Sequence, residues 1–426
     1  MRSSAPKPRI TPAPATPARR RLPVRRTLRK VLFVLLGMFL GTLAVLFYQG
    51  KARRNTLESE LGTPVRTGPW GELYSTPITI SAPEELLPVQ AIEAAGVHWF
   101  FKGLDRRQLE RFLNSAGVES SLAATLVASS REVPGTEIIE MQPSSQAVIA
   151  IPDAARKKIY QRLARTPENQ FAFTYLHKDT VADRIREDAL SEKTISLFRK
   201  LSVEHEGYLV FGGMAALLAE TPDLQEKIRF LKSLTRQHTM LLRLKVTKGT
   251  DVAALTKYWG KGPYAPQVRS ILDALHEVPG GTFCSLLTIL PPLPTAQAYN
   301  YPITLNQHSG SVLLNFDCHW TSLSFFHDSA TTHPDDPAYL GKEIAENYAL
   351  IADSPRFGDV LIMTLPGGEV IHSAVFIADD IFFTKNGSTA IYPWMFARLP
   401  DLLKQYSFRA PDGQQLVLQY FRNKSL

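Results

Sequence analysis

The chain has 426 residues, 44% hydrophobic and 10% aromatic, enough material for the cores of two or three ordinary domains. Its formal charge of +8 is concentrated at one end: residues 1–30 hold ten Lys or Arg and no acid, leaving 38 basic against 40 acidic side chains elsewhere. A body so close to neutral lacks the clustered cations that binding by counterion release requires, so no nucleic-acid partner is expected.

The leader, residues 1–30, also carries six prolines and is too polar to pack a core. It reads as a disordered, basic cytoplasmic tail. From Val31 to Tyr48 the run VLFVLLGMFLGTLAVLFY has no charged residue. Eighteen residues in a helix rise about 27 Å, close to the ~30 Å hydrocarbon core of a bilayer. Basic residues bracket the run (Arg29 and Lys30 before it, Lys51, Arg53 and Arg54 after it), with the excess on the leader side. This pattern predicts a single-pass transmembrane helix over 31–48, with the N-terminus cytoplasmic and the bulk extracytoplasmic, periplasmic in a two-membrane bacterium. A cleaved signal peptide fits less well, because the exit Gln49-Gly50-Lys51-Ala52-Arg53 is a poor cleavage site.

Residues 49–90 read as a linker leading into the fold, with a short strand at 76–80. Residues 91–295 read as a helical or mixed domain of unassigned role. Apolar residues at helical spacing, among them Leu109, Phe112 and Leu113, then Leu122, Leu126 and Val127, make 91–200 mainly helical. Further helices are expected at 153–165, 180–202, 222–235, 251–259 and 265–277, with strands at 208–211 and 240–246. The Pro-rich run ILPPLPTAQAYNYP at 289–302 is the expected domain boundary, since consecutive prolines interrupt helix and ladder alike.

The last 125 or so residues carry the chemistry. SVLLNFDCHWTSLSFF sets a strand-like SVLLNF before Asp317 and Cys318, then a helical pattern. A cysteine at a helix N-terminus faces unsatisfied amides and the positive end of the dipole, which lower its pKa. Downstream, Gly358-Asp359-Val360-Leu361 opens a strand, Pro366-Gly367-Gly368 turns it, and a second strand carries His372. Asp379-Asp380 turns again into a third strand ending in Lys385-Asn386-Gly387. A two-residue turn would set Ala374 opposite Lys385. A three-residue turn sets Asn386 opposite His372 on the same face, where its carbonyl can accept from the ring N–H.

The Asp-Cys before a helix, the Gly-Asp-Val-Leu strand start and the His within the next strand resemble the NlpC-type papain-like cysteine peptidases, bacterial cell-wall endopeptidases and amidases. The resemblance covers roughly residues 300–426. It implies a Cys318 nucleophile, a His372 base and Asn386 as the residue orienting the imidazole. It also implies hydrolysis through a thioester, with peptidoglycan stem peptides as substrate class and no metal or other cofactor. The family's Tyr before the nucleophile and Ser-Gly after it are absent; Tyr299 and Tyr301 are the nearest tyrosines, and His319-Trp320 follow Cys318. The expected fold class is then α+β. It comprises an N-terminal transmembrane helix, a helical or mixed middle, and a C-terminal papain-like domain with the Cys helix packed on an antiparallel sheet carrying His372.

Blander readings compete. Cys318 as a buried small hydrophobe, or a Cys284–Cys318 disulfide, would remove the nucleophile. His372 in an apolar strand also fits a satisfied core histidine. His319 is expected to point away from its neighbour's thiol, and Cys284 to pack in a core. A metal cluster of His319, His327 and His333 with Asp328, Asp335 and Asp336 fits no standard ligand spacing. The rival function is a non-catalytic envelope protein that uses a degenerate papain-like domain as a binding module.

Overall fold

The computed structural model describes residues 62–169, 173–178, 181, 190–205, 207–302, 316–327, 339–387, 391–410 and 414–426. Within them helices and sheets alternate along the chain, and every strand pair in the four sheets is antiparallel. The class is therefore α+β, but the expected transmembrane element is not part of it. No helix among the described residues is long and apolar enough to cross a membrane, and residues 31–48 lie outside them.

The strand expected at 76–80 is the end of a longer one, Glu72–Ile80, paired along its whole length with Gln237–Val246. Alternation explains the pairing: Leu73 and Ser75 on one strand, and Leu242, Leu244 and Val246 on the other, are buried at every second position. Val65, Trp70 and Leu73 pack in the same core as Met240, Trp259, Ile289, Leu293, Phe316 and Phe383. Residues 62–80 thus belong to the fold and supply Val65, Trp70 and Leu73 to its core, where a linker was expected. The Pro-rich run contributes Ile289, Leu290, Leu293 and Ala298 to that shared core, so it joins the two halves instead of separating them. Its prolines start a six-residue helix, Pro292–Gln297, whose first turn lacks no donor that matters.

Region 91–200 is less helical than its periodicity predicts. The helices Arg106–Ala116, Ser120–Ala128 and Asp153–Leu163 are present, and the first is closed by a capping box between Asp105 and Gln108. A three-stranded sheet of Trp99–Lys102, Ile138–Met141 and Ser130–Glu132 lies among them. These strands are three or four residues long, too short for an alternating pattern to stand out from the helical one. Of the helix expected at 180–202, Glu192–Lys200 is described, and residues 182–189 lie outside the description.

The C-terminal region forms a six-stranded sheet in the spatial order Tyr348–Leu350, Val417–Asn423, Val360–Thr364, Val370–Ala378, Ile381–Lys385, Trp394–Arg398. The His372 strand, VIHSAVFIA, is paired on both edges and buried from Ile371 onward, which explains its unbroken apolar run. Val375 and Ile377 face one core with Trp320 and Phe325, while Ala374 and Phe376 face another with Leu402 and Tyr406. The sheet is therefore sandwiched between the helix bearing Cys318 and the helix Leu399–Tyr406.

Candidate active site

Cys318 opens the helix Cys318–Leu323, and its position is tightly fixed. Asp317 is the N-cap: its carboxylate accepts from the Trp320 N–H at 2.7 Å. Trp320 also packs at 4.1 Å between ring centres on Phe316, and Trp394 donates its indole N–H to Thr321 Oγ1 at 2.9 Å. Both cysteines are free, so the Cys284–Cys318 disulfide is not formed. Cys284 is half-buried on the strand Thr282–Ser285, where burial pushes its thiol up to about 11.

The thiol of Cys318 is shifted the other way. Burial by itself raises it, but the charge of His319 and then that of His372 bring it down to about 5. A six-residue helix has little dipole to offer; the imidazoles do what the sequence attributed to the helix end. Contrary to expectation, His319 does not point away. Burial alone would lower its pKa, yet the charge of Cys318, their hydrogen bond and the Asp317 carboxylate carry it up to about 9.

His372 is wholly buried. Its Nε2 lies 3.1 Å from Thr384 Oγ1, and that hydroxyl has the Ser373 carbonyl oxygen as acceptor at 3.2 Å. With that proton donated to Ser373, the hydroxyl accepts from the ring, the arrangement that puts the hydrogen on Nε2. Nδ1 is left with no hydrogen-bond partner and is the nitrogen available to the sulfur. Tyr406 stacks on the same ring, 4.2 Å between centres at 21°.

Asn386 does not orient the ring. The hairpin makes a two-residue turn at Asp379-Asp380, pairing Ala378 with Ile381, then an irregularity shifts the register to Phe376↔Phe382 and Val375↔Phe383. Continued, that register does set Asn386 level with His372. The Asn386 amide, however, donates to Gln405 Oε1 at 2.9 Å, and its carbonyl accepts from the Tyr406 hydroxyl at 3.4 Å. Asn386 thus acts on Tyr406, while Thr384, two residues earlier on the same face, reaches the ring. The sequence reading did not single out Thr384, although its shared strand parity with Asn386 was the signal that could have; nothing in the sequence pointed to Tyr406.

Other expectations resolve more simply. The Asp359 of Gly-Asp-Val-Leu is 2% exposed and held by the Arg422 guanidinium through two bonds, Nε to Oδ1 at 2.9 Å and Nη2 to Oδ2 at 2.7 Å. Its place is to tie the C-terminal strand to the sheet. Tyr299 donates its hydroxyl to the Met240 carbonyl at 2.8 Å, and Tyr301 packs against the core of residues 82–234, so neither serves the thiol. Among the described residues no three His, Cys, Asp or Glu side chains group to hold a metal ion; His333, Asp328, Asp335 and Asp336 lie outside them. No protein-family model matches the chain, and no curated protein matches it.

Proposed function

We propose that the chain is a papain-like cysteine hydrolase that cleaves an amide or peptide bond through a Cys318 thioester. One observation carries the reading: a buried thiol held down to about 5 by two imidazoles, one of which has a hydroxyl 3.1 Å from its Nε2. The Cys318 thiolate attacks the carbonyl carbon, and the resulting oxyanion collapses. The carbon–nitrogen bond breaks as the amine leaves with the proton from an imidazolium beside the sulfur. His372 Nδ1 then takes a proton from water, whose oxygen displaces the thiolate and frees the acid. The resemblance to NlpC-type enzymes makes wall stem peptides the substrate class we favour.

The test is to incubate the full chain with purified stem peptides and follow the products by mass spectrometry. New amine and carboxylate termini formed by the wild type and not by Cys318→Ala support the reading. Cys318 that alkylates only after denaturation sinks it. The rival, a binding module, draws on the burial of the pair: Cys318 is 6% exposed and His372 0%. On that reading the peptides are retained intact, and equally by wild type and Cys318→Ala.

A further inference from the structure

Cys318 has two imidazole neighbours, and papain-like chemistry needs only one. His319 is anchored from across the fold: its Nδ1 lies 3.0 Å from Oγ of Ser373, the residue that follows His372 on the strand. The Ser373 hydroxyl has a single proton and two acceptors in reach, the Cys318 carbonyl oxygen at 3.1 Å and Ser322 Oγ at 3.0 Å. With that proton directed to the Cys318 helix, Ser373 accepts from His319, which places a hydrogen on Nδ1 and leaves Nε2 open. With both hydroxyl protons so directed, the two rings take opposite tautomers. Thr384 puts the hydrogen of His372 on Nε2, and Ser373 puts that of His319 on Nδ1.

From this geometry we infer that the two histidines divide the reaction, His319 holding the thiol proton at Nε2 in the resting enzyme and His372 serving as the base for water; the inference rests on the hydrolase reading. The protons balance. The thiol proton passes from sulfur to His319 Nε2, then to the departing amine as the carbon–nitrogen bond breaks. The proton taken from water by His372 Nδ1 returns through the sulfur, whose charge both rings favour, to His319. The surrounding charges agree with this order. Asp317, capping the same helix, favours a cation at His319. From the neighbouring strand Lys385 senses both the thiolate and Asp317, with its Nζ donating to the Gly387 carbonyl at 2.8 Å. Burial lowers that lysine to about 8. Tyr406, from the helix on the far side, is raised by burial and stays neutral beside the thiolate.

The experiment is iodoacetamide labelling of the full chain from pH 4 to 10 with peptide-level readout, comparing wild type, His319→Gln, His372→Gln and Ser373→Ala. Rates are compared across pH within each variant, so differences in access cancel. The midpoint should rise by about two pH units in His319→Gln, and by less than one in His372→Gln. Ser373→Ala, which keeps both rings, should move it in the same direction as His319→Gln. Against p-nitrophenyl acetate, His372→Gln should give a burst of acylation without turnover. A midpoint that moves as far in His372→Gln as in His319→Gln overturns the division of labour and leaves the hydrolase reading standing. A wild-type midpoint in the ordinary thiol range sinks that reading, and the inference with it.

Discussion

The hydroxyl of Thr384 stands 3.1 Å from Nε2 of His372, in the position where the sequence placed the amide of Asn386. With its proton donated to the buried Ser373 carbonyl, Thr384 acts on the ring as an acceptor, which turns the other ring nitrogen to the thiol.

Thr384→Val keeps the shape and removes that acceptor. Turnover of p-nitrophenyl acetate should fall by about 10- to 100-fold, reflecting a wrong or mobile tautomer, on the scale of general-base contributions. Asn386→Ala should cost about 1–2 kcal/mol of stability by releasing Gln405 and Tyr406, with a smaller effect on turnover. Urea denaturation and steady-state rates on both variants separate the two. A larger rate loss in Asn386→Ala would return the orienting role to Asn386.

The pH dependence follows from opposed shifts at Cys318 and His319. The lowered thiol contributes stability that is present above the ordinary thiol range and lost as pH falls through about 5. The raised imidazole contributes stability that is present below the ordinary histidine range and lost as pH rises through about 9. Ion pair and activity should therefore span pH 5 to 9, with apparent limits belonging to the pair. Thermal melts of wild type and Cys318→Ser across pH should differ most inside that window; a difference independent of pH would exclude the ion pair.

Asp359 is buried, and the part-exposed Arg422 holds it through two bonds. Arg422→Ala strands a carboxylate that is 2% exposed, and should destabilise the fold by about 3–5 kcal/mol in denaturant titrations. Arg422→Ala combined with Asp359→Asn should recover part of this loss, because the buried charge is gone. Equal stability of the single and double variants would show that the charge itself is not the cost.

Gly358 takes φ +92°, and an added Cβ would meet the Phe326 ring at 2.6 Å. Gly358→Ala should therefore cost about 1–2 kcal/mol, from backbone strain and displacement of the ring. A wild-type midpoint in urea would mean that ring and backbone both yield freely.

The sequence by itself determined the local pieces of this protein. Periodicity placed the helices near 106, 153, 224, 252 and 265, and apolar runs placed the strands at 208–211 and 370–377, because neighbours three, four or two residues apart set which faces are apolar. It also singled out Cys318 and His372, which the fold brings together from two elements. Only tertiary structure decided what surrounds them. The register shift between Phe376 and Ala378 leaves no mark in the sequence, so strand parity alone could not choose between Thr384 and Asn386. The turn of His319 toward the thiol depends on Ser373, 54 residues away. The Pro-rich run reads as a boundary from its own composition, and becomes core only because Trp259 and Phe396 pack in the same cluster. Contacts between distant residues leave no periodic trace, and it is those contacts that fix proton positions at this site.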